Sequence, residues 1–219
     1  MGFIKLNMKI QILIDNKNSW FIPYGKNLKD ELSNMGHEVY LCHEHEDVKD
    51  GEILFILSCE KILKETTLKK NKHNLVIHGS NLPEGRGMSP LTWEVLSGRS
   101  KFYVSLLEAT KQVDAGKIYM KSSFLLEGHE LNEEIKDIQS KNIINLAVEF
   151  VRKFPDINPE EQVGDATYYK RRVKEDSEID INRSINDQFN LLRIVDNERY
   201  PAFFIRDGKK YILKIYKEN

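Results

Sequence analysis

Two side chains in this sequence have the type and setting for proton-transfer chemistry, His78 and Asp114. His78 closes an apolar run, Leu75-Val76-Ile77, and opens a loop rich in proline and glycine, Gly79-Ser80-Asn81-Leu82-Pro83-Glu84-Gly85-Arg86-Gly87. Asp114 lies in a second turn, residues 108–116, which also follows a strand-like run and ends on Gly116. A histidine oriented by a carboxylate can take and return a proton near neutral pH. Spacing alone does not pair the two, and a histidine satisfied at a strand end is the competing reading.

Other groups carry weaker signals. Gly85-Arg86-Gly87 matches neither the dinucleotide fingerprint nor the P-loop, so these glycines read as a loop needing positive φ and close backbone approach. Cys42-His43-Glu44-His45-Glu46-Asp47 offers zinc-type ligands from one segment only. A closed metal site draws on two, so a solvated acidic loop is expected and no metal. His37 and His129 read as surface or packing residues. Asn16, Asn18, Ser19 and Trp20 follow the first apolar run and would suit a sugar or a base, although Trp20 and Tyr24 equally suit a core. Tyr169, Arg171 and Arg172 suit a phosphate or diphosphate through bidentate guanidinium contacts, or form an ordinary exposed basic loop.

The elements that must position these residues follow from periodicity. Apolar β-type runs at residues 9–14, 38–42, 52–57 and 75–77 alternate with helical spacing at residues 22–35, which Gly36 terminates, and at residues 61–70. Ser89-Pro90 is expected to cap and start a helix over residues 91–96. Two further strands are expected at residues 102–107 and 117–126, then a long amphipathic helix at 130–154. Short alternating elements predict an α/β fold, a Rossmann-like doubly wound, mostly parallel sheet, with loops at the carboxyl ends of strands holding the chemistry. Residues 155–165 read as a linker. Beyond it a helix at 181–195 and strands at 200–205 and 211–216 flank Asp207-Gly208, a strong hairpin signal. The division expected is therefore a catalytic domain, residues 8–154, and a small C-terminal subdomain of loop, helix and β-hairpin, residues 155–219.

Bulk properties narrow the class. The 219 residues suffice for a sizeable core, and 40% hydrophobic with 31% charged residues describes a soluble globular chain. A net charge of -1 gives no general attraction to nucleic acid or anionic membrane. No apolar run approaches the ~20 residues needed to cross a bilayer. Residues 1–7 are too short and weakly apolar for a signal peptide. Two cysteines, Cys42 and Cys59, give no disulfide framework, which fits a reducing cytoplasm. An exposed hairpin edge could pair with a second copy, so monomer or homodimer both stand.

The run His78–Gly87 with Ser89-Pro90 resembles the signature of the formyltetrahydrofolate-dependent formyltransferases. Val113-Asp114-Ala115-Gly116 resembles their second motif, and Asp114 stands 36 residues after His78, the usual spacing. Gly85-Arg86-Gly87-Met88-Ser89-Pro90-Leu91-Thr92-Trp93 resembles the nucleotide-sugar N-formyltransferases within that family. Asn18-Ser19-Trp20 with Ile22-Pro23-Tyr24, Phe189-Asn190-Leu191-Leu192-Arg193 and Tyr200-Pro201-Ala202-Phe203-Phe204 resemble the subgroup of pseudaminic-acid-type pathways. The resemblance covers nearly the whole chain from Met8. It departs at Val76, where the family usually has asparagine. Asn74 is roughly 13 Å from His78 along an extended strand, so Asn81 or Ser80 is the expected substitute.

The resemblance implies transfer of a formyl group from 10-formyltetrahydrofolate to the amine of a nucleotide-linked amino sugar in surface-glycan biosynthesis. It implies His78, Asp114 and Asn81 as catalytic residues. Leu57, Ser58, Cys59, Lys61, Ile62, Thr110, Val113 and Gly116 would hold the folate. Asn18, Ser19, Trp20, Ser80, Gly85, Gly87, Tyr169, Arg171 and Arg172 would hold the sugar nucleotide. Three rivals remain: a methionyl-tRNA formyltransferase, a non-catalytic ligand-binding member of the fold, and a hydrolase that only deformylates the folate. Residues 160–219 carry 12 Lys/Arg against 12 Asp/Glu, without the basic excess that tRNA binding calls for.

Overall fold

The first apolar run forms β1 (Lys9–Leu13) in the computed structural model, which describes residues 7–218. The signal-peptide reading of the N-terminus falls largely on residues 1–6, outside the described residues. After β1 come α1 (Ile22–Asn34), β2 (Glu38–Cys42), β3 (Gly51–Ile56), the single turn α2 (Glu65–Leu68) and β4 (Asn71–His78). The short strand β5 (Arg86–Gly87) and α3 (Pro90–Leu96) follow, then β6 (Lys101–Glu108), β7 (Ile118–Leu125) and α4 (Asn132–Lys153). The C-terminal part holds β8 (Tyr168–Tyr169), α5 (Phe189–Arg193), β9 (Ala202–Arg206) and β10 (Lys209–Leu213).

The main sheet has the order β2-β1-β3-β4-β6-β7. Its first four strands are parallel, as their continuous apolar runs require, with Ile10, Ile12, Ile53, Leu54 and Phe55 fully buried. β6 and β7 are antiparallel. The expected mostly parallel α/β sheet is what the chain forms. One face packs against α1 and α4 through Leu28, Phe55, Phe150 and Ala147. The other buries Leu13, Val48, Leu54 and Ile56. β6 runs back along β4 with His78 opposite Ser105 and Leu75 opposite Glu108. The turn after β6 therefore leaves the sheet beside the strand that carries His78.

Local signals explain several boundaries. Gly36, at φ +94°, ends α1, and Pro90 opens α3. Asp207 and Gly208, at φ +51° and +72°, form the turn of the antiparallel β9–β10 hairpin. Three expectations fail. Residues 61–64 are not helical: the Asp15 carboxylate accepts the backbone N–H groups of Glu60 and Lys61 at 2.8 and 2.9 Å, which holds the chain as a loop. Residues 181–195 are helical only in α5 and a 3-10 turn, Asn186–Gln188. There the Gln188 carboxamide bonds the backbone of Asp180, Arg183 and Ser184, and Asp180 accepts from Asn182, so side chains take the place of a helical ladder. Ser89 offers no side-chain cap and sits at φ +53°. Residues 155–165 lie against the sheet: Glu160 exchanges two backbone hydrogen bonds of 2.8 Å with Ile118.

Among the described residues no helix is long and apolar enough to cross a membrane.

Two buried ionic groups set the stability. Arg193 on α5 meets Glu130, just before α4, at 2.6 Å, and both side chains are more than nine-tenths buried. The Glu130 carboxylate also accepts the N–H groups of Glu127 and Gly128. Replacing Arg193 by methionine strands that carboxylate without its counter-charge. The variant is expected to lose about 3–5 kcal/mol in urea unfolding, and a loss under ~1 kcal/mol would show that the pair does not tie α5 down.

Glu94 on α3 is 1% exposed, with Arg99 at 3.5 Å as its partner and its second oxygen unpaired. Burial pushes its carboxyl up to about 7 from the ordinary 4.5. The folded protein thus holds this proton more tightly than the unfolded chain. The contribution to stability is complete below the unfolded value near 4.5 and drains away as pH rises through about 7. Glu94→Gln should therefore melt above the parent protein at pH 8, with the advantage gone by pH 4.5. A difference in Tm that does not change with pH would refute this.

Candidate active site

The end of β4 and the turn after β6 meet at His78. Its ring is buried, with Nδ1 3.5 Å from an Asp114 carboxylate oxygen and Nε2 2.8 Å from the carbonyl oxygen of Gly85. Both ring nitrogens face acceptors, so the neutral imidazole can donate to only one of them. Asp114 sits at φ +54°, a left-handed conformation that aspartate tolerates better than most residues. Its other carboxylate oxygen accepts the Gly87 N–H at 2.9 Å, and its backbone carbonyl accepts from the Gln162 carboxamide at 2.9 Å.

The glycine loop is held by chain from far away in sequence. β5 pairs in parallel with β8, Arg86 opposite Tyr168 and Gly87 opposite Tyr169. The Thr167 hydroxyl accepts the Gly85 N–H at 2.8 Å. A Cβ on Gly87 would collide with the Tyr169 carbonyl, and one on Gly116 with the Glu108 carbonyl. These glycines provide shape rather than a phosphate cradle.

A cleft of about 710 Å³ opens beside His78 and Asp114. Ser58, Cys59, Lys61 and Ile62 line it after β3, with Thr110 and Val113 from the Asp114 turn. Ser19, Trp20, Gly87 and Arg171 line its other parts. Ser58, at φ +52°, bonds Ser19 through their hydroxyls at 2.9 Å and joins the two walls. Burial pushes the Cys42 and Cys59 thiols up to about 11 and about 12, so neither is a nucleophile near neutral pH.

Eight expected site residues lie outside this lining. The Asn81 side-chain oxygen accepts from Lys121 at 2.8 Å, which turns it from His78's cleft. Ser80 is fully buried; its hydroxyl bonds the Glu84 carbonyl at 2.8 Å and its carbonyl accepts from Ser105 at 2.7 Å. Both shape the loop from beneath. Leu57 is core, and Gly116 packs on Glu108. Gly85 offers its carbonyl to His78, while Tyr169 lies behind the loop. Asn18 gives its carbonyl to the Arg199 guanidinium. Arg172 turns inward to the Ser177 hydroxyl at 3.0 Å and the Asp176 carbonyl at 3.2 Å.

The sequence reading missed Gln162 and Thr167, which hold the glycine loop and the Asp114 turn, and polar groups that line the cleft, among them Lys136, Gln139 and Arg199. Lys136 lies 6.0 Å from the Trp20 ring centre, and pairs with Glu133 and Asp196. Asn132, Ile135, Lys136 and Gln139 share one face of α4 at helical spacing. That spacing was the available signal, and attention to the apolar stripe alone concealed it. The acidic loop after β2 is dispersed: His43 Nδ1 bonds the Ile14 carbonyl and His45 bonds Asp15. Among the described residues no group of three or more His, Cys, Asp or Glu is placed to hold a metal.

No protein-family model matches the chain. Among curated proteins it is similar to the bifunctional polymyxin resistance protein ArnA of Wigglesworthia glossinidia brevipalpis, 32% identical over 167 residues, 74% of this chain and 25% of that protein. It is also similar to methionyl-tRNA formyltransferase of Thermodesulfovibrio yellowstonii, 26% identical over 166 residues, 74% of this chain and 54% of that protein. The matched region thus spans a quarter of the first relative and about half of the second. Among solved structures, methionyl-tRNA formyltransferase from Clostridium thermocellum aligns with a TM-score of 0.81 at 25% identity, over 97% of this chain and 94% of that one. HypX from Aquifex aeolicus, solved in complex with tetrahydrofolic acid, aligns at 0.81 and 20% identity, over 96% of this chain and 38% of that one. A 4-N formyltransferase from Francisella tularensis aligns at 0.73 and 14% identity, over 97% and 98%. The chain has the α/β formyltransferase fold, and these similarities support the formyltransferase family.

Proposed function

We propose that this chain transfers a formyl group from 10-formyltetrahydrofolate to the amine of a nucleotide-linked amino sugar. The observation that carries the reading is His78, held between Asp114 and the Gly85 carbonyl on the wall of an open cleft. The neutral amine attacks the formyl carbon and gains positive charge as the bond forms. His78 takes its proton and delivers one to the folate nitrogen that leaves, while Asp114 holds the ring in place. The stretch 56–63 supports the folate assignment: Ile56, Ile62 and Leu63 offer apolar surface beside the polar groups of Ser58 and Lys61, a mixture suited to a flat heteroaromatic ring.

The acceptor follows from the other end of the cleft. Lys136 lies over the Trp20 ring, and Arg171 and Arg199 add positive charge to the same cleft, a combination that fits a diphosphate and a ring. The equal count of 12 basic and 12 acidic residues over 160–219 argues for such a compact anion rather than a long polyanion. Within this class the motifs around residues 18–24 and 189–204 favour a UDP-linked 4-amino-4,6-dideoxy sugar of the pseudaminic-acid type. Methionyl-tRNA is the second reading, because the Clostridium thermocellum enzyme aligns along nearly its whole length.

A screen of UDP- and dTDP-linked 3-amino and 4-amino sugars with 10-formyltetrahydrofolate, with aminoacylated initiator tRNA alongside, separates the two. Formylation of a sugar nucleotide is the expected result. Formylation of the tRNA alone would replace the sugar reading with the second one. His78→Ala should keep the circular dichroism of the parent protein and lose about 10²–10⁴-fold in turnover. Retention of more than a tenth of the activity would sink the assignment of His78.

A further inference from the structure

Formyl transfer needs a hydrogen-bond donor for the carbonyl oxygen as it becomes anionic, and Val76, two residues before His78, cannot supply one. Val76, Ile77, Met88 and Leu91 line the cleft with apolar side chains. Asn81, expected to serve, is engaged by Lys121. One amide remains. Gln139 projects from the cleft-facing side of α4, is half-buried, and hydrogen-bonds to no described residue.

Gly79, which follows His78 in the chain, shows how near this amide lies. Its backbone conformation is ordinary, outside the left-handed region, so a turn does not require glycine there. A Cβ at this position would lie 2.6 Å from the Gln139 side-chain nitrogen, closer than real Cβ contacts come, and at least 3.8 Å from the nearest atom of any other residue. The Gln139 carboxamide thus packs directly against the glycine that follows His78, and a Cβ there would push it aside.

We propose that Gln139 donates the hydrogen bond that holds the formyl oxygen during transfer. The inference rests on the reading of the chain as a formyltransferase and names a catalytic group within it. The amine lone pair forms the new C–N bond while the C=O pair moves to oxygen, where the Gln139 N–H meets it. The pair then returns, the bond from the formyl carbon to folate N10 breaks, and N10 gains the proton that His78 removed from the amine. Atoms and charge balance with no further reactant. A donor fixed beside the developing oxyanion acts mainly on the transition state.

The test compares binding of 10-formyltetrahydrofolate with that of tetrahydrofolate, by quenching of Trp20 fluorescence, in the parent protein, Gln139→Leu and Gly79→Ala. The two ligands differ at the formyl group, so the ratio of their affinities reports on its oxygen. The parent protein should prefer the formylated ligand, and Gln139→Leu should lower that preference by roughly three- to tenfold, with tetrahydrofolate binding unchanged. Gly79→Ala, which displaces the amide without touching it covalently, should do the same. Once the acceptor sugar is known, Gln139→Leu should lower kcat by about 10²-fold and leave the sugar KM nearly unchanged. Folate binding with an unaltered ratio in both variants would overturn the proposal. So would a raised sugar KM at constant kcat, which would make Gln139 a sugar contact. If the parent protein binds neither folate, the formyltransferase reading itself falls, a result distinct from failure of Gln139 alone.

Discussion

The Asp114 carboxylate is the constraint on which the site depends. One of its oxygens faces the His78 ring and the other accepts the Gly87 N–H, while its main-chain carbonyl is held by Gln162. Three segments, the glycine loop, the turn after β6 and the strap beyond α4, thus converge on a single residue. A carboxylate that is only 6% exposed in its side chain needs such partners, because an unpaired buried charge is costly. The left-handed backbone at Asp114 is local strain that aims the carboxylate at both partners.

The turn that carries Asp114 has to reach back toward His78, because β6 runs antiparallel to β4. A parallel β6 would have put its following turn at the carboxyl end of the sheet, where His78 closes β4. Running antiparallel, it delivers Glu108 opposite Leu75, three residues short of His78. Across the cleft the polar and cationic groups come from helix and loop rather than strand. β4 holds His78, and longer side chains on α4 and the C-terminal loops line other parts of the cleft.

Much of the fold was legible because its signals were local. The apolar run at residues 38–42 became β2 with unchanged bounds, Gly36 ended α1, and Asp207-Gly208 turned the hairpin. Helical spacing over residues 181–195 was overridden by the Gln188 and Asp180 side chains, a competition that periodicity cannot register. His78 and Asp114 were legible as residue types, and their 36-residue spacing as a resemblance, but not their contact. Asn81 was misplaced because only the structure shows Lys121 beside it. The partners of the glycine loop were out of reach for the same reason: Arg86 and Tyr168 lie 82 residues apart, and nothing in either stretch announces the other.

The ribbon between β5 and β8 also bears on the order of events at the ribosome. The strands and helices up to α4 contain the six-stranded sheet and most of the large core, so they can collapse once residue 153 has emerged. The glycine loop cannot be finished then, since Thr167 and Tyr169 supply the groups that pair with Gly85, Arg86, Gly87 and Met88. A nascent chain would therefore carry a formed sheet and an open glycine loop until residues 167–169 had emerged.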